Sequence, residues 1–274
     1  MSAKKPALSA MDRVRLARHP DRPGAKAYVN ALFTDFFEQK GDRLCREDPS
    51  IFGGIARYKG RPVTVLGYRR GANLEERLRC HFGMPGPEGY RKAQRLVLQA
   101  EKFRRPVITF VDTPGAYPGI EAEERGQAEA IARTLMVMSG LTVPVISILI
   151  GEGGSGGALA LAMGNRVLML ENAVYAVLSP EGFASILWKD ASRCEQAAER
   201  MKLTAAELLE MGIVDQVIAE PAGGAQNNPA AVFLAVDRAL STHLAQLEGQ
   251  DGLDKLRWAK YRAMGNRPAA KEET

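Results

Sequence analysis

The run Val143-Pro-Val-Ile-Ser-Ile-Leu-Ile150, followed by Gly151-Glu-Gly-Gly-Ser-Gly-Gly157 and Ala158-Leu-Ala-Leu-Ala-Met163, decides the fold. Eight mostly branched apolar residues without polar alternation read as a strand buried on both faces. The glycine-rich heptad reads as a turn. The alanines and leucines after it read as a short helix over 158–163, stopped by Gly164. A turn passing from strand to helix can aim consecutive N–H groups at one point, and the helix adds its positive end there. Gly156 and Gly157 sit where that helix begins, so their amides are candidates to hold an anion or a developing oxyanion.

Two narrower motifs lie in the same heptad. Gly151-x-Gly153-x-x-Gly156 matches the dinucleotide fingerprint, with Glu171 placed about 20 residues on as a ribose partner would be. The carboxylate of Glu152 in the turn and the shortness of the next helix speak against it. Gly153-x-Ser155-x-Gly157 matches the nucleophile elbow of serine hydrolases, which would need Asp215 and His243 as partners. His243 falls on an amphipathic helix face, a poor place for a general base. A turn that merely packs a helix on a sheet explains the same glycines without any ligand.

Outward from the heptad, the pattern recurs. Residues 105–111 read as a strand, Asp112-Thr-Pro-Gly-Ala-Tyr-Pro-Gly119 as a turn and 121–139 as a helix. A third unit has strands over 166–170 and 174–178 and a helix over 183–188. Upstream, helical spacing covers 27–39, a hairpin 51–68 and an amphipathic helix 88–103. Downstream come a helix over 204–211, a short strand to Ile218, a Gly/Asn/Pro loop, a helix over 230–247 and a basic tail from Lys255 onward. This is a mixed α/β core spiralling through ββα units. We divide it into an N-terminal arm and helix (1–41), the core (42–225), and a C-terminal helix with basic tail (226–274).

The 274 residues carry a net charge of +5, too mild an excess to argue for specific nucleic-acid binding. Cys45, Cys80 and Cys194 form no C-x-x-C pair, so a zinc ribbon made by this chain alone is not expected. No stretch is long and apolar enough for a membrane span, and a cytoplasmic location is expected. The turn at 112–119 offers amides at Gly115 and Ala116 for the same cleft, with Tyr117 beside them. Glu181 and Lys189 read as cleft residues or, in preference, as helix-surface charges. Arg69, Arg70, Arg77 and Arg79 form a basic stretch that fits phosphates, an acidic partner or solvent equally well.

Several runs resemble one family, the alpha subunit of the bacterial acetyl-coenzyme A carboxylase carboxyltransferase. They are Leu16-Ala-Arg-His-Pro20, Gly53-Gly-Ile-Ala-Arg57, Phe82-Gly-Met-Pro85, Pro87-Glu-Gly-Tyr-Arg-Lys92, 110–119, Glu123-Glu-Arg-Gly-Gln127, 151–160, Ser179-Pro-Glu-Gly182, 184–189 and 220–225. The likeness spans about 15–262 in order. It implies a crotonase-like (ClpP/crotonase) spiral with flanking helices and a cytoplasmic alpha2beta2 heterotetramer. It also implies transfer of a carboxyl group from carboxybiotin, borne by the biotin carboxyl carrier protein, to acetyl-CoA. Malonyl-CoA for fatty acid synthesis is the product, and an ATP-dependent biotin carboxylase recharges the carrier. Zinc is expected in the beta subunit and no metal in this chain. The resemblance assigns the biotin oxygen to the amides of Gly156 and Gly157 and the enolate to the beta subunit; Gly153, Gly154, Ser155, Gly115, Ala116 and Tyr117 are expected to line the substrate. Some relatives carry a further helical segment before Ala17-Arg-His-Pro20, where this chain has a short basic leader. A docking subunit without turnover, or another crotonase-like acyl-CoA enzyme such as a decarboxylase, is the alternative.

Overall fold

The computed structural model describes residues 8–265. Helices α1 (Ala10–Ala17) and α2 (Ala25–Leu32) precede strand β1 (Thr34–Glu38). The expected hairpin is β2 (Ile51–Tyr58) with β3 (Arg61–Tyr68), in register from Ile51 opposite Tyr68 to Tyr58 opposite Arg61. Helices α3 (Leu74–Arg79) and α4 (Pro87–Lys102) lead into β4 (Val107–Thr113). Then come α5 (Ile120–Glu124), α6 (Gln127–Gly140), β5 (Val145–Gly154) and α7 (Ser155–Ala162). The chain continues through β6 (Arg166–Leu170), β7 (Val174–Ala176), α8 (Pro180–Trp188), α9 (Cys194–Met201) and α10 (Ala205–Glu210). It ends with β8 (Gln216–Ile218), α11 (Pro229–Leu247) and α12 (Leu253–Ala263).

These strands form one sheet in the order β1-β2-β3-β4-β5-β6-β8, with β7 added to the far end of β5. Pairing is antiparallel from β1 to β3 and parallel from β3 onward. Every residue of β4 is buried, and every residue of β5 except Gly154. That is the signature of central parallel strands covered by helices on both faces. Helix α4 supplies Tyr90, Ala93, Leu96, Val97 and Ala100 to the same core. No helix among the described residues is long and apolar enough to cross a membrane.

The structure departs from the sequence reading at four places. The helix expected over 27–39 stops at Leu32; Phe33 is extended (φ −124°, ψ 150°) and Thr34–Glu38 pairs with β2. A run of aromatics suits either period, and the unpaired edge of β2 settles it. The helix expected over 121–139 is two helices, separated at Arg125-Gly126. Strand β5 runs on through Gly154 and α7 begins at Ser155, because β7 pairs with Glu152, Gly153 and Gly154. Of the stretch expected as a basic tail, residues 255–263 belong to the docked helix α12. Its Arg257 is buried and donates to the carbonyls of Ser139 (3.2 Å), Leu141 (2.7 Å) and Val143 (3.3 Å) and to Asn165 Oδ1 (2.5 Å). Residues 1–7, including Lys4 and Lys5 of the basic leader, and 266–274 lie outside the described residues.

Candidate active site

Strands β4 and β5 are neighbours in parallel register, with Thr113 opposite Gly153. The turns at 112–119 and 154–157 therefore leave the sheet side by side, at the carboxyl ends of central strands, where open α/β sheets bind ligands. The sequence places these two turns about 40 residues apart; the parallel register makes them one feature.

The glycines of the heptad do different jobs. A Cβ on Gly153 would lie 2.7 Å from both Leu149 and Tyr175, so this residue is small because β5 and β7 pack on it. One on Gly154 would fall into the Pro114 carbonyl, and one on Gly157 would lie 2.5 Å from the Ala116 nitrogen, 2.7 Å from Gly115 and 2.9 Å from the Tyr90 hydroxyl. These two are glycine because the turns meet backbone to backbone. Gly156 is different: its Cβ would meet only Ile131 Cγ2, at 3.6 Å. Nothing in the chain itself requires glycine there.

Ser155, Gly156 and Gly157 form the first turn of α7, whose opening amides have no partner within the helix. Ser155 is exposed and holds a left-handed φ of 56°, costly for a residue with a Cβ. In the second turn the Gly115 amide donates to Thr113 Oγ1 (3.1 Å) and the Tyr117 amide to the Pro85 carbonyl (2.9 Å). Of the two amides expected to serve the cleft, that of Gly115 is thus already engaged internally. Ala116 remains, packed against Gly157.

Beneath the turns lies a network of charge that the motif reading did not find. Arg70 donates to Asp112 Oδ1 (2.7 Å) and to Glu152 Oε2 (2.9 Å), and the Glu152 amide donates to Asp112 Oδ1 (3.0 Å). Arg18 reaches the other Glu152 oxygen (2.7 Å) and Glu181 (2.7 Å). Burial works against the Arg70 charge, and the two carboxylates more than offset it, raising its pKa. Glu152 therefore faces two guanidinium groups and does not project a free charge into the turn. Arg22 pairs with Glu220 (2.5 Å) and donates to the Ile150 carbonyl (2.6 Å), so runs near the two ends of the chain meet at β5. These partners stand between 40 and 198 residues apart in the chain, and no local pattern reports such pairs.

A cavity of about 710 Å3 opens beside this network, lined among others by Arg18, His19, Lys26, Tyr68, Arg70 and Asp112. Arg69 and Arg77 of the basic stretch also line it, while Arg79 borders a smaller pocket with Glu88 and Arg125. Arg69 is paired with Glu38 (3.0 Å). Tyr68 reaches past the cavity to donate to the Gly157 carbonyl. Glu181, read as a surface charge, is half-buried against Arg18, whereas Lys189 is exposed at the end of α8.

The competing motif readings lose their partners. Glu171 accepts from the Glu220 amide (3.1 Å) and is not presented to a nucleotide. His243 bonds Gln216 (2.8 Å), and Asp215 is held by Lys260 and the Val167 amide, so neither meets Ser155. The described residues contain no cluster of three His, Cys, Asp or Glu suited to a metal ion.

Solved structures share the fold. Transcarboxylase 12S superposes with a TM-score of 0.70 at 18% identity, over 99% of this chain and 49% of that one. The Pseudomonas malonate decarboxylase heterodimer gives 0.62 at 20% identity, over 78% and 89%. The sheet and its paired turns thus define a crotonase-like α/β fold. A family model described as acetyl co-enzyme A carboxylase carboxyltransferase-like matches residues 3–265. The acetyl-coenzyme A carboxylase carboxyl transferase subunit alpha of Geobacillus thermodenitrificans is 57% identical over 260 residues, 94% of this chain and 80% of that one. The chain belongs to the acetyl-coenzyme A carboxylase carboxyltransferase family, with subunits alpha as its relatives.

Proposed function

We propose that this chain is the biotin-side half of a carboxyltransferase that converts acetyl-CoA to malonyl-CoA, completed by a beta subunit in an alpha2beta2 assembly. The observation that carries the reading is Gly156: an unfilled Cβ position on the half-buried first turn of a helix, in a chain whose neighbouring glycines are explained by packing. Space reserved where N–H groups are unpaired is what close approach of an anionic oxygen requires. Carboxybiotin, when bound, supplies an activated carboxyl group whose departure leaves negative charge on the ureido oxygen. In this reading the amides of Gly156 and Gly157 donate to that oxygen, and the positive end of α7 favours its charge. Ser155, Ala116 and Tyr117 line the approach. Gly153, Gly154 and Gly115 shape the backbone around it. The beta subunit supplies the zinc and the enolate site, the carrier protein delivers the biotin, and a biotin carboxylase recharges it in the cytoplasm.

The test is reconstitution with the beta subunit and measurement of malonyl-CoA-dependent carboxylation of biocytin, with each chain alone as control. Gly156→Ala leaves folding and assembly intact and lowers turnover at least tenfold, against the ~100-fold typical of a lost oxyanion donor. Full activity in Gly156→Ala, or turnover by this chain alone, overturns the assignment.

A further inference from the structure

The run Phe82-Gly-Met-Pro85 is prominent in the sequence and lies outside the two glycine turns. Its backbone is unusual: His81 (φ 45°), Phe82 (φ 55°) and Gly83 (φ 87°) are all left-handed in succession. Two of these three carry a Cβ, so the conformation is sustained by what surrounds it. The surroundings are the turn at 112–119. Thr113 Oγ1 lies 2.7 Å from the Gly83 carbonyl, and the Tyr117 amide donates to the Pro85 carbonyl (2.9 Å). Gln127 Nε2 donates to both Pro85 O (2.9 Å) and Tyr117 O (2.8 Å), clamping the two segments together. Above these bonds the His81 ring stacks on Tyr117, with centroids 4.1 Å apart and planes within 13°. The Tyr117 hydroxyl is in turn bonded to the Glu121 carboxylate, and His81 Nδ1 is buried without a partner.

We infer that His81 is a positioning residue, whose ring fixes Tyr117 and through it the Ala116 side of the cleft. The inference rests on the carboxyl-transfer reading above. A side chain that served only to complete the loop would be better replaced by glycine, since the backbone is left-handed. The retained ring is the reason for tolerating the strain. The stack sets the height of Tyr117 over the cleft, and Ala116, one residue before it, is the backbone that packs against Gly157.

The experiment separates ring from backbone. The chain has three histidines, so their imidazole carbon-bound protons are resolvable in the full-length protein. One signal, assigned by His81→Phe, is shifted upfield by the tyrosine ring and returns to its ordinary position in Tyr117→Leu. In the assembled enzyme, His81→Gly melts at or above the wild-type temperature yet loses about tenfold in kcat, with KM for acetyl-CoA within twofold. His81→Ala loses similar turnover, and His81→Phe recovers most of it by restoring a stacking ring. His81→Ala combined with Tyr117→Leu is no worse than the more impaired single variant. An unshifted imidazole, a His81→Gly enzyme with wild-type kcat, or a His81→Phe as impaired as His81→Ala overturns the proposal while leaving the function standing. Absence of turnover in the wild-type assembly overturns the function itself, and this role with it.

Discussion

Gly157 and Ala116 share one position: the Cβ that Gly157 lacks would lie 2.5 Å from the Ala116 nitrogen. This contact makes the two turns a single rigid unit, and it divides the glycines of the heptad into those that pack and one that is left open. It also means that the candidate donors at 156 and 157 cannot be tested by the same substitution.

Gly157→Ala is expected to destabilise the chain by about 2 kcal/mol or more, since backbone on the opposite side cannot retreat as a side chain would. Gly156→Ala is expected to hold or raise stability, because the space is open and alanine is the better helix former by about 1 kcal/mol. Urea unfolding of the two variants side by side checks the contrast; equal losses would contradict it.

Ser155 pays for its left-handed backbone (φ 56°) with strain that glycine would not carry. Ser155→Gly is therefore expected to gain about 1 kcal/mol in stability. If its hydroxyl lines the substrate, turnover falls in the same variant, so the melting temperature and kcat move in opposite directions. Movement of both together would count against a site role.

Among the described residues Arg70 is the cation bonded to Asp112 and is shared with Glu152, both carboxylates being only 12% exposed at the side chain. Arg70→Met leaves Asp112 buried opposite no charge and is expected to cost about 3 kcal/mol. Arg70→Met with Asp112→Asn should recover part of that loss, read from denaturant midpoints. An additive pair would show the network to be energetically slack.

Arg257→Met removes donors from the buried carbonyls of Leu141 and Val143, from the part-buried one of Ser139 and from Asn165, without disturbing the site directly. A loss of roughly 2–4 kcal/mol is expected from the unsatisfied acceptors. Amide exchange should rise first in α12, which Arg257 holds against the end of α6. Unchanged protection there would mean that α12 is held by its apolar contacts alone.

Stability should fall in acid by a specific route. Arg18 lowers the Glu181 pKa, and at Glu220 burial acts upward but Arg22 and the Asn172 hydrogen bonds together outweigh it, so both lie below their ordinary value. A carboxyl with a depressed folded pKa contributes fully above its unfolded value, near ~4.3, and loses that contribution as pH falls through the folded one. Unfolding free energy is thus expected to decline below about pH 4.3, with a shallower slope in Glu220→Gln. An identical slope would remove Glu220 from the acid response.

Much of this protein was legible in its sequence, because period and turn chemistry are local. The hairpin at 51–68, the buried strands and the glycine entry to α7 each follow from residues within a few positions of one another. The motifs also sufficed for the family, since they lie in order along nearly the whole chain. Where two periods fitted equally, as with the aromatics at 33–37, the sequence left a helix where the edge of β2 demanded a strand.

By itself, then, the sequence determined that a buried strand would pass through the glycines of 151–157 into a short helix. Tertiary structure decided which of those glycines are free. Packing against Asp112, Pro114, Ala116, Leu149 and Tyr175 consumes four of the five, and only Gly156 keeps open space at its Cβ. It also decided the charges, for Arg18, Arg70 and Arg22 are simply basic residues until the fold sets Glu152, Asp112 and Glu220 against them. The physical reason is the same in both cases: steric exclusion and ion pairing act over a few ångströms of space, and the chain separation of the partners carries no record of it.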